Sequence, residues 1–154
     1  LPELIMAADV MKAGMKILDE KIKAGGKERK SLGKIVLGTI KGDIHDIGKR
    51  IVATMLEVYG FEVHDLGRDV PLENFIEKVS EVNADIVAAS ALMTTTMVAQ
   101  KMLHEALQEA GIRDRVKLMV GGAAVTQEWA DKIGADGYAE EVTEAVKKAK
   151  QLVG

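Results

Sequence analysis

The chain has 154 residues, 47% of them hydrophobic and 29% charged, with a formal net charge of -3. That length suits one compact domain with an appendage, and the interspersed acids leave no basic stripe for nucleic acid. The absence of cysteine excludes disulfides, thiolate metal sites and thiol catalysis. It fits a reducing cytosol, and no apolar run approaches a bilayer span, so a cytoplasmic protein without membrane attachment is expected.

In chain order, residues 3–23 (ELIMAADVMKAGMKILDEKIK) form the first predicted helix. Leu4, Ala8, Met11, Met15, Leu18 and Ile22 recur at spacings of four and three, which places them on one face. Pro2 suits a first helical turn and Gly25-Gly26 an end. Ile5, Val10 and Ile17 lie off that stripe, so the helix carries more apolar surface than one neighbour covers. The chain begins at Leu1 rather than Met, and the missing partners are expected either upstream or from another chain. AGGKERKS (24–31) is a polar linker.

From Lys34 the pattern alternates between strand and helix. Strands are predicted at 34–40, 61–67, 85–91, 116–122 and, weakly, 137–140. Helices are predicted at about 46–59, 71–83, 95–111, 126–134 and 141–154. Five βα units predict a parallel sheet covered by helices on both faces, and the expected order is the flavodoxin-like (Rossmann-type) 2-1-3-4-5. Ligands of such sheets bind beyond the carboxyl ends of the strands, where strands one and three diverge.

The loop after strand one is Lys41-Gly42-Asp43-Ile44-His45-Asp46-Ile47-Gly48-Lys49. Asp43 and His45, two residues apart, can point the same way, so the acid can accept a hydrogen bond from one ring nitrogen and leave the other as a lone-pair donor. Gly48 leaves room for a bulky ligand at the helix start. The plain structural alternative is that Asp46 caps the helix and His45 is an ordinary loop residue. His64 and His104 lie on other elements, so a metal held by His45 would bring most of its own ligands.

Strand three ends in small residues, Ala88 to Ala91, which gives up packing area beside strand one. The hydroxyls of Ser90, Thr94 and Thr96 are expected to line the slot this leaves, and capping by Thr94 or Thr95 is expected to account for one hydroxyl. After strand four, Gly121-Gly122 permits close approach by a ligand or simply a sharp turn.

Asp43-x-His45-x-x-Gly48, then Ser90-x-Leu92, then Gly121-Gly122, in this order on five βα units, resembles the B12-binding domain of corrinoid proteins. The context GDIHDIGK is similar to the methyltransferase branch: the cobalamin domain of methionine synthase and the small corrinoid proteins of methanol, methylamine and methoxyarene metabolism. The resemblance implies cobalamin or a related cobamide bound base-off, with His45 replacing the cofactor's own base on cobalt. Asp43 would bond to His45, and Thr96 would continue that relay. Ile44, Asp46, Ile47 and Gly48 would complete the cofactor loop. Ser90, Leu92, Thr94, Gly121 and Gly122 would line the slot for the nucleotide tail, with Tyr138 and Ala139 reaching it from beyond strand five.

Residues 1–30 would be the remnant of a helical cap plus linker, and 31–154 the corrinoid domain. The implied function is a methyl carrier cycling between Co(I) and methyl-Co(III). Its expected partners are a substrate-specific methyltransferase, a second acceptor methyltransferase and a reductive activator. The alternatives are the B12-binding subunit of an adenosylcobalamin-dependent mutase and a B12-sensing module.

Overall fold

A computed structural model describes residues 2–26 and 30–154. The middle of the expected linker, residues 27–29, lies outside the described residues. Helix α1 (Pro2–Ala24) precedes β1 (Lys34–Thr39), α2 (Ile47–Val58), β2 (Glu62–Asp65), α3 (Leu72–Val82) and β3 (Ile86–Ser90). Then come α4 (Thr94–Glu109), β4 (Lys117–Gly121), α5 (Gln127–Ile133), β5 (Gly137–Ala139) and α6 (Val142–Val153). A short 3-10 turn at Arg113–Arg115, which the sequence pattern does not announce, links α4 to β4. Among the described residues, no helix is long and apolar enough to cross a membrane.

The five strands form one parallel sheet in the expected order, β2-β1-β3-β4-β5. Each strand is shorter than its apolar run, because the run continues into the loop. Ile40, for instance, forms only an isolated bridge to Val70. Side chains alternate between two layers along the strands. Val36, Val87, Leu118 and Val120 face one layer with Phe75 and Val79 of α3, Leu103 and Leu107 of α4 and Ile133 of α5. Ile35, Leu37, Ile86 and Met119 face the other, against Ala53 and Leu56 of α2 and Ala145, Val146 and Ala149 of α6. Phe75 is fully buried, so truncation to Ala would cost about 3–5 kcal/mol through the cavity left behind.

Helix α1 rests on α2, but not on the expected stripe. Ala8 is buried and Met15 and Ile22 are half-buried, whereas Leu4, Met11 and Leu18 stay exposed at 47%, 46% and 48%. Ile5, read as off the stripe, joins Ala8 against Ile47, Ile51 and Thr54 of α2, and Lys12 pairs with Glu57 at 2.8 Å. The contact line runs 5-8-12-15-19-22. It shares Ala8, Met15 and Ile22 with the expected stripe but is rotated about the helix axis, with the Lys12–Glu57 ion pair lying along the contact. Apolar spacing alone cannot choose between two stripes that overlap this far.

Candidate functional site

The carboxyl ends of β1, β3, β4 and β5 bring one residue each into a row. Thr39 pairs with Ser90, Ser90 with Gly121, and Gly121 with Ala139. By strand alternation, these four point toward the α2/α6 layer. That layer is rich in small side chains: Ala53, Ala88, Ala139, Ala145 and Ala149. Tyr138 does not join the row, since its side chain packs against the opposite layer.

Above the row sits the loop between β1 and α2. Asp43 is fully buried, and its carboxylate is surrounded by donors. Oδ1 accepts from the backbone N–H of His45 at 3.0 Å and lies 2.7 Å from the ring Nδ1 of the same residue. Oδ2 accepts from the backbone N–H of Leu92 at 2.8 Å and from the Thr96 hydroxyl at 2.7 Å. Burial works against the charge, but the Leu92 and His45 amides, the Thr96 hydroxyl and the His45 ring outweigh it and hold Asp43 well below the usual carboxylate range. An ionised Asp43 requires the hydrogen on Nδ1, which leaves Nε2 with its lone pair.

The His45 side chain is 48% exposed, and among the described residues no protein hydrogen bond reaches Nε2. Exposed apolar residues lie in the same segments: Ile44 (63%) and Ile47 (54%) flank His45 in the chain, and Leu92 (38%), whose amide bonds to Asp43, precedes Met93 (38%). Gly48 has no protein atom within 4 Å of where a Cβ would stand, so the start of α2 is open. Among the described residues, no group of three His, Cys, Asp or Glu side chains could hold a metal by itself. A metal placed here has to arrive with ligands of its own.

Two capping expectations need correction. Asp46 occupies the N-cap position of α2 but makes no side-chain cap bond, so capping does not account for it. Met93, not Thr94 or Thr95, is the N-cap residue of α4. Thr94 is an exposed first residue of the helix, and the nearby hydroxyl that matters, Thr96, is turned onto Asp43. The buried carboxylate is the stronger acceptor, and it draws the hydroxyl inward. Gly122 is required by the protein itself: at φ 117, an added Cβ would lie 1.9 Å from the Ala91 carbonyl oxygen.

Two contributors were not recognised in the sequence. Thr39 donates its hydroxyl to the His45 carbonyl at 2.8 Å and so fixes the loop backbone. Gln100, fully buried, donates to the carbonyls of Ala89 and Gly121 at 2.9 and 3.2 Å and accepts from the Trp129 indole at 3.1 Å. It locks together the ends of β3 and β4. A signal for it did exist: it is the one amide on the buried stripe Thr96, Gln100, Leu103, Leu107.

Fold and site together define a doubly wound α/β domain that offers one imidazole held against a buried carboxylate, with exposed apolar residues in the neighbouring segments, at the switch point of its sheet. The family model of the B12 binding domain matches residues 33–147, and the chain belongs to that family. It is 62% identical over 153 residues to dimethylamine corrinoid protein 2 of Methanosarcina acetivorans, covering 99% of this chain and 70% of that protein. Among solved structures, it resembles the Methanosarcina barkeri monomethylamine corrinoid protein, with 40% identity, a TM-score of 0.75 and coverage of 99% and 71%. It also resembles a chain of the methanol:cobalamin methyltransferase complex MtaBC from the same organism, with 38% identity, a TM-score of 0.85 and coverage of 99% and 57%.

Proposed function

We propose that this protein is a methyl carrier that holds a cobamide base-off, with His45 Nε2 as the lower axial ligand of cobalt. One observation carries the reading: a single half-exposed imidazole, its Nδ1 set 2.7 Å from a buried carboxylate, stands at the carboxyl end of the sheet on a loop that also carries exposed apolar residues. A flat macrocycle that already satisfies four positions of its metal fits such a platform, and an open zinc site does not.

When bound, the corrinoid supplies a metal centre that accepts a methyl group from one enzyme and yields it to another. The protein's own residues orient and tune. Asp43 holds Nδ1–H, and Thr96 and the Leu92 amide hold Asp43. Thr39 holds the backbone of His45. Asp43 itself is kept ionised by its four donors. The alanine-rich layer under Ser90, Gly121 and Ala139 supports a place for the displaced nucleotide tail.

Residues 31–154 form the corrinoid-binding unit in this reading, and 1–30 the remnant of a helical cap with its linker. The carrier works in the cytoplasm between a substrate-specific methyltransferase and an acceptor methyltransferase, with a reductive activator as a third partner. Similarity to dimethylamine corrinoid proteins supports a methylamine-specific enzyme as the donor partner.

Reconstitution with hydroxocobalamin tests the reading. His45→Ala should still bind the corrinoid, but about 10–100-fold more weakly and with an altered visible spectrum. A spectrum identical to that of the unmodified protein would overturn the axial-ligand assignment.

A further inference from the structure

Lys49 closes the sequence GDIHDIGK, and the proposed chemistry gives it no task. It lies in the first turn of α2, yet its side chain is only 1% exposed. A cation there meets the positive end of the helix dipole, and the first turn contains no acidic residue to offset it. Burying an ammonium also costs more than burying a methionine of similar length. Local energetics therefore oppose Lys49, and its contacts must justify it.

Those contacts lead back to His45 by two routes. Lys49 Nζ forms an ion pair with Asp65 and donates to the Gly67 carbonyl at 3.0 Å. Asp65 Oδ1 also accepts from the Gly67 amide at 2.9 Å, so Gly67 is gripped at both ends. The same Gly67 carbonyl accepts from the Thr39 amide at 2.9 Å, and the Thr39 hydroxyl holds the His45 carbonyl at 2.8 Å. Two residues on, Asp69 accepts from the Gly42 amide at 2.8 Å, donates its own amide to the Asp43 carbonyl at 2.9 Å and pairs with Lys41 at 3.1 Å. Asp69 sits at φ 51, a left-handed turn conformation that aspartate tolerates better than most side chains.

We propose that Lys49 is a positioning residue for His45, acting through the loop at 65–69. That loop straps residues 41–45 from one side while Thr96 and the Leu92 amide hold Asp43 from the other. Without the Lys49 cation, Gly67 and Asp69 lose their anchor and the imidazole loses its fixed direction. The link to ligation rests on the axial role of His45; the strap itself does not.

Two measurements on Lys49→Met, which keeps the stem and deletes the cation, test this. In the cofactor-free protein, the Gly42 and Asp69 amides should exchange about 10-fold faster or more, while Leu37 and Val87 in the central strands keep their protection. Unchanged exchange at Gly42 and Asp69 overturns the strap. With Co(II) cobinamide, which has no nucleotide base, a nitrogen triplet in the electron paramagnetic resonance spectrum must come from the protein. The unmodified chain should show it, and Lys49→Met should lower the triplet fraction by about 10-fold. A full triplet in Lys49→Met overturns the positioning role. No triplet in the unmodified chain overturns the axial role of His45 instead, and the exchange result still decides the strap. Should Lys49→Met fail to fold, Asp65→Asn undergoes the same two measurements with the same expected direction.

Discussion

His45 and His104 each engage one ring nitrogen, and the sign of the partner separates them. At the carboxyl end of the sheet, His45 Nδ1 faces the Asp43 carboxylate at 2.7 Å and its other nitrogen looks outward. Near the amino ends of β4 and β5, His104 Nδ1 accepts from Arg113 Nε at 3.1 Å. Arg113 also donates to the carbonyls of Val116 and Gly134 at 3.0 and 2.8 Å and pairs with Asp136 at 2.9 Å. Burial, then the Arg113 charge, pushes His104 below its ordinary value, although Asp136 and Glu105 pull the other way. An imidazole whose Nδ1–H faces an acid presents the lone pair of its other nitrogen. An imidazole beside a guanidinium is kept neutral, as an acceptor in a structural knot. The same side chain thus serves cohesion at one end of the sheet and, in the proposed function, ligand binding at the other.

The most forceful attack on this contrast is Asp43→Ala, which strands the Leu92 amide and the Thr96 hydroxyl and releases the His45 ring. Urea unfolding should show a loss of about 3 kcal/mol, together with loss of the nitrogen triplet on cobinamide. Arg113→Met should cost about 2 kcal/mol yet leave the visible spectrum of bound hydroxocobalamin unchanged; a changed spectrum would mean that the knot is not purely structural. A gentler probe is pH. Because the folded state depresses the His104 pKa, its contribution to stability is complete above the ordinary value of 6.5 and declines as pH falls through the lower, folded value. Paired melts should therefore show the wild type losing ground to His104→Gln, which keeps an acceptor for Arg113, only below about pH 6.5. Smallest of all in stability is Ile44→Ala, at 63% exposure. It should move unfolding by less than about 0.5 kcal/mol while weakening hydroxocobalamin binding in a titration.

The legible parts of the molecule were those whose partners lie close in sequence or repeat with a period. Strand order followed from five βα units. Asp43 and His45 are two residues apart, so their pairing could be expected before any coordinates. The Thr96 hydroxyl was expected in the slot from the sequence and in the relay to Asp43 from family resemblance, and the structure places it on Asp43. Lys49 was invisible because its partners, Asp65 and Gly67, are 16 and 18 residues away. Thr39 looked like ordinary strand filler, since nothing in its neighbourhood says that its hydroxyl meets a loop carbonyl. Capping was misjudged at α4 because local preference favours a threonine at the N-cap, whereas the helix starts one residue earlier than that preference suggests, with Met93 at the N-cap. For α1, two overlapping stripes share half their residues, and apolar spacing alone does not distinguish the one on which Ile5 and Ala8 meet α2 and Lys12 pairs with Glu57.

Gly48 carries a consequence for how this protein trades off its own robustness. It sits in the first turn of α2, at a position whose φ is not positive and where an alanine methyl would touch no protein atom within 4 Å. Alanine there would strengthen the helix by up to about 1 kcal/mol. Gly122 offers no such option, because the fold itself fills the space. The protein is therefore less rugged than its backbone permits at Gly48, and in the proposed function that forgone stability is the cost of a doorway held open for a guest.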